Sequence, residues 1–149
     1  METIAVFVND VAAARQALQP LLRDAGPTRW LLVACPPALT RHIGRWVSHG
    51  ARRQWRERWA ADLFAALAPD LGALPGGAPE LLVANRPLVD MSARLRTRWP
   101  QLRLLDARCA RVGRVDEPID AVPAASATRR WAAPAVATAG LSLVLTLAD

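Results

Sequence analysis

Four short runs, residues 4–8 (IAVFV), 30–34 (WLLVA), 81–84 (LLVA) and 102–105 (LRLL), divide the first 110 residues at regular intervals. Three contain no polar residue. A strand with one wet face alternates apolar and polar residues; an unbroken apolar run suits a strand covered on both faces, as in a parallel sheet flanked by helices. The segments between the runs carry helical periodicity instead. Residues 11–25 set Ala14, Leu18, Leu21 and Leu22 on one stripe, and Ser48 is placed to cap a helix reaching Leu67 with Trp55, Trp59, Leu63 and Leu67 inward. Pro87 suits the first position of a third helix, with Val89, Met91 and Leu95 inward and Pro100 as its stop. Alternation of this kind predicts a small doubly wound α/β domain of the flavodoxin or universal-stress type over residues 1–110, with a parallel sheet of about four strands.

A chain of 149 residues, 52% apolar and 21% charged, is large enough for one core and too apolar to be disordered. Its formal net charge is +6, and every Lys or Arg position is arginine. The codon usage of a GC-rich bacterial genome accounts for much of that bias, yet guanidinium forks also suit phosphates and carboxylates. Residues 41–58 (RHIGRWVSHGARRQWRER) concentrate the charge: six arginines face only Glu57, a local net of +5. Arg45, Arg52, Arg53 and Arg56 are the candidate contacts to an anionic surface, and a solvated helix face is the alternative. No nucleic-acid-binding motif accompanies them.

Little in the sequence points to catalysis. Cys35 and Arg41 have the C-x5-R spacing of a phosphate-binding thiol loop, but Pro36 and Pro37 remove two of the N–H donors such a loop needs. Cys35 is therefore expected to be a small buried hydrophobe. Strands in the usual order would hold Cys35 and Cys109 about 9.6 Å apart, too far for a disulfide. His42 and His49 lack further ligands for a metal site, and no cofactor motif is present. Ligands of doubly wound sheets bind outside the carboxyl ends of the strands; here those ends offer Asn9, Asp10, Arg41, Asn85 and Arg86 as candidates for a small anionic ligand.

The opening TIAVFVNDVAAARQALQPLL resembles that of universal stress proteins: a hydrophobic strand, an acidic residue at its end and an Ala-rich helix. That resemblance implies the same βα order and puts Asp10 at a nucleotide site. The glycine-rich phosphate loop of the ATP-binding members is missing, since Gly113 stands alone after the fourth run. The resemblance thus implies a relative that does not bind nucleotide, or an analogue in fold alone.

Residues 111–130 have the proline- and alanine-rich composition of a linker, and residues 131–149 form a hydrophobic C-terminal segment. Leu141, Leu143, Leu145 and Leu147 alternate as in a fifth strand. Read as a helix, residues 131–148 hold no charge over about 27 Å, close to the roughly 30 Å of a bilayer core. Arg129, Arg130 and Trp131 would then flank the membrane, and Ala135 with Ala139 would let a partner helix approach. The start of the chain has no basic, apolar leader, which places the domain in the cytoplasm. The expectation is a non-enzymatic adaptor or regulatory domain without cofactor, tethered to the inner membrane by its C-terminus. The alternative is a soluble nucleotide- or anion-binding protein with residues 141–148 as its last strand.

Overall fold

In the computed structural model, which describes residues 1–24, 26–110 and 118–123, all four apolar runs are strands of one sheet. They are β1 (Glu2–Val8), β2 (Thr28–Ala34), β3 (Glu80–Val83) and β4 (Leu102–Asp106), joined by a two-residue β5 (Val122–Pro123). The spatial order is β3-β2-β1-β4-β5, and every pairing is parallel. Helices α1 (Val11–Asp24), α2 (Arg41–Gly44), α3 (His49–Gly72) and α4 (Leu88–Arg98) fill the connections.

The two-residue period of a strand sends neighbouring side chains to opposite faces, so each apolar run feeds two cores. Ile4, Val6, Val8, Trp30, Leu32 and Ala34 pack under α1 and α3, against Leu18, Leu63 and Leu67. Ala5, Phe7, Leu31, Val33 and Leu104 face the other way, under Leu88 and Leu95 of α4. This is why β1 and β2 tolerate no polar residue from Ala5 to Val8 or from Trp30 to Ala34. At about 1.5–3 kcal/mol for each large apolar side chain, these two layers are the main source of stability.

Two helices depart from the sequence expectation. Pro87 is the residue before α4 rather than its first residue. The buried face of α4 is accordingly Leu88, Ser92 and Leu95, while Val89 is exposed. The Ser92 hydroxyl donates to the Leu88 carbonyl at 2.8 Å, which lets a polar residue occupy that face. Helix α3 continues five residues past Leu67, through Pro69, because Leu71 extends the buried stripe of Leu63 and Leu67. Packing there outweighs the hydrogen bond that the proline removes.

The amino edge of the sheet holds the far end of α3 tightly. Trp30, buried in β2, donates its indole N–H to the Pro75 carbonyl at 2.8 Å. Gly76 has φ 101°, and a Cβ there would lie 2.1 Å from the Thr28 carbonyl oxygen, so only glycine lets this turn close on β2. Arg15 of α1 pairs with Asp70 at 2.8 Å and donates to the Ala66 carbonyl at 3.1 Å.

The carboxyl end of β4 receives residues 118–123, within the stretch expected to be a linker. Val122 pairs with Leu105 and Pro123 with Asp106. Arg96 secures the approach through the Asp120 carbonyl at 2.8 Å and its carboxylate at 3.2 Å. Ile119 and Ala121 pack on the α4 side of the sheet. The expected membrane span and its flank, Arg129, Arg130 and Trp131, lie outside the described residues, as does the alternative strand 141–148. Among the described residues no helix is long and apolar enough to cross a membrane.

Candidate functional site at the carboxyl edge

A parallel sheet delivers every strand end to the same side, so the candidate residues named from sequence all arise at one edge. The structure sorts them into groups that the chain itself engages and groups that it leaves to solvent.

At the switch point between β1 and β4, the chain uses its own polar groups. The Asn9 amide accepts from the Cys109 N–H at 2.7 Å and donates to the Cys109 carbonyl at 3.1 Å. One side chain thereby imitates a further rung of the β1–β4 ladder. Asp10 accepts the Ala13 N–H at 3.0 Å and caps α1. Arg108 lies against Asp106, at 2.9 Å from Nε. The crevice where doubly wound sheets take ligands is thus crossed by contacts within the chain.

At the end of β2, Cys35 donates its backbone N–H to the Val8 carbonyl at 2.8 Å and its thiol to the Val33 carbonyl at 3.6 Å. Its side chain belongs to the core under α4. Arg41 stands six residues further on, at the start of α2, and is exposed. Cysteine and arginine therefore do not converge on a phosphate cradle. Cys35 and Cys109 are not bonded to each other. Asn85 and Arg86, after β3, are exposed and make no hydrogen bond or ion pair with the described residues.

The connection from β2 to α3 differs in kind. Helix α3 has 24 residues, about 36 Å, against about 23 Å for a seven-residue strand. Arg56 reaches the Ala84 carbonyl, just beyond β3, at 3.5 Å. None of the seven residues of α3 ahead of Arg56 is buried, and α2 lies just before them in the chain. This tip is ordered from within. Ser48 caps α3 by accepting the Ala51 N–H at 3.2 Å. Arg52 donates to the Val47 carbonyl at 3.2 Å and also to the Gly44 carbonyl, pinning α2 to the first turn of α3.

On this pinned tip, Trp46 is 89% exposed and Ile43 is 53% exposed. Arg41 and Arg45 flank them, both exposed, and their side chains make no hydrogen bond or ion pair with the described residues. Arg53 pairs with Glu57 at 3.1 Å on a solvent-facing side of α3. Of the four arginines expected to meet an anionic surface, Arg52 is internal, Arg56 bridges to β3, Arg53 is paired and Arg45 stands open. His42 and His49 are both exposed, and among the described residues no group of His, Cys, Asp and Glu is arranged to hold a metal ion.

Ile43 and Trp46 are not marked by sequence pattern. The helical stripe begins at Trp55, and a tryptophan between arginines outside any stripe carries no periodic signal. The residual clue was that Trp46 has no place in the pattern that buries Leu63 and Leu67.

Comparison with protein-family models, with characterised proteins and with solved structures finds no match to this chain.

Proposed function

We propose that this chain is a non-enzymatic α/β module of the adaptor or regulatory kind, held with its carboxyl edge against an anionic membrane by residues 131–148. The observation that carries the proposal is the direction of chain exit. Because β5 runs parallel to β4, the chain leaves Pro123 at the same edge from which the arginine-rich β2–α3 connection projects. From β2 to β5 is three strand spacings, about 14 Å. Five residues separate Pro123 from Arg129, so six chain steps, at most about 21 Å, connect that edge to the flank of the uncharged segment. Tether and basic surface then face one plane, where each arginine adds about 1 kcal/mol of attraction to anionic lipid. Support for a binding rather than catalytic role comes from the switch point, where Asn9 and Asp10 already serve the ladder and the helix cap.

Cell fractionation of the full chain tests this. The expected result is recovery in the membrane fraction, resistance to high-salt washing and release by detergent. Recovery as a monodisperse soluble species without detergent rejects it.

A second proposal rests on the strand order β3-β2-β1-β4-β5, which is that of many nucleotide-binding doubly wound sheets. It makes the chain a soluble anion- or nucleotide-binding protein of the universal stress type, with Asp10 and Arg41 as its contacts. The place beside Leu105 and Asp106 that its fifth strand would take is held by Val122 and Pro123. Thermal stabilisation by ATP or inorganic phosphate, lost in Asp10→Asn, is its expected signature. No shift with either compound removes it.

A further inference from the structure

We infer that the α2 tip is a wedge that enters the headgroup layer of an anionic bilayer, placing Trp46 and Ile43 below the phosphates and Arg41 and Arg45 among them. The inference deepens the membrane proposal above and rests on it for orientation, but it names a second contact distinct from residues 131–148.

Three observations converge. First, the apolar side chains are presented rather than merely uncovered. Isolated exposed apolar residues are ordinary, but here Trp46 and Ile43 stand three residues apart on a segment, residues 41–55, that has no buried side chain of its own. Second, the tip is held in shape by the Ser48 cap and by Arg52 bound to the Gly44 and Val47 carbonyls. A preordered element loses little conformational freedom on docking. Third, the charge around the apolar pair is uniformly positive: Arg41 and Arg45 make no ion pair with the described residues, and Glu57, the only acid between residues 41 and 58, is already engaged by Arg53. A protein partner would call for mixed polar groups at the rim. Tryptophan with an aliphatic neighbour and arginine is instead the composition of a headgroup-layer contact, the indole at the interface and the guanidinium on phosphate.

The test uses the full chain and vesicles of phosphatidylcholine, with or without phosphatidylglycerol, containing acyl-brominated lipid that quenches nearby tryptophan. Trp46→Phe removes the reporting fluorophore and keeps an aromatic ring; the difference in quenching between it and the parent isolates Trp46 from the other five tryptophans. Ile43→Ser with Trp46→Ser blunts the wedge, and circular dichroism confirms that each variant is folded. All are also made with Leu143→Arg and Leu145→Arg, which abolish an uncharged tail. The expected result is a Trp46 contribution to quenching on phosphatidylglycerol vesicles with either tail. In the charged-tail background the serine pair should weaken vesicle binding on the order of tenfold. Equal quenching of parent and Trp46→Phe on anionic vesicles overturns the wedge, and Trp46 would then face a protein. The tether is judged separately, by whether the parent floats with phosphatidylcholine vesicles and the charged-tail variant does not. Either conclusion can fail while the other stands.

Discussion

The two ends of α3 belong to one helix and live in different surroundings. From Ala60 to Gly72 the helix lies on the sheet, with Leu63, Leu67 and Leu71 buried, and its end is fastened by Arg15, Trp30 and Gly76. From His49 to Trp59 no residue is fully buried, and α2 sits just ahead of the helix start. Where packing decides, the sequence is apolar with regular spacing. Toward the helix start the stripe continues through half-buried Trp55 and Trp59 among arginines, and order there comes also from a serine cap and one arginine bound to carbonyls. The lesson is that a helix can be both a core element and a mount for something that the core does not need.

This contrast dictates graded responses to substitution. Leu67→Ala, at a position with no exposure, should cost about 3 kcal/mol and lower Tm by roughly 6–12 °C in a chain of this size. A thermal shift no larger than that of a surface change would mean that the fastened half is not packed as described. Gly76→Ala should cost about 2 kcal/mol or more, from the positive φ and the approach to the Thr28 carbonyl. Scanning calorimetry would show it, and an unshifted transition would show that the turn after α3 can open without harm.

The two helix caps make a finer test. Asp10→Ala and Ser48→Ala each remove a side-chain acceptor worth about 1 kcal/mol. For Asp10 the loss should appear in global unfolding. For Ser48, in the half with no buried residue, it should appear mainly as faster amide exchange in residues 49–55, with a smaller change in Tm. Identical behaviour of the two variants would erase the distinction between the halves. Smallest of all, Trp46→Ser should change stability by no more than about 0.5 kcal/mol, because the indole makes its contacts with solvent. A larger loss in urea titration would reveal a packing role for Trp46.

The strands could be read in advance because continuous apolar runs suit burial on two faces, as in β1 and β2, although β3 at the sheet edge leaves Leu81 46% exposed. The face of α4 was misjudged at Val89 because a proline can end a loop as readily as begin a helix, and one residue of offset rotates the buried stripe. At the candidate site, residue type was a poor guide. Asn9 and Asp10 look like ligand contacts, but asparagine and aspartate also satisfy backbone groups, and here they do so. Arg52 looked like part of a basic surface and is a brace for carbonyls. Which polar groups remain available depends on the three-dimensional neighbours of each, and spacing along the chain does not encode that.

The short β5 has a mechanical consequence. Two paired residues, Val122 on Leu105 and Pro123 on Asp106, with the Arg96 clasp on Asp120, hold the end of the sheet in place. With β5 seated, six chain steps lead from Pro123 to Arg129, at most about 21 Å; unseated, the reach from Asp106 would be 23 steps, at most about 80 Å. A pull on the C-terminus would peel this brief pairing before it disturbed β1 or β4. How far the chain beyond Pro123 can reach is therefore set by the weakest rung of the sheet.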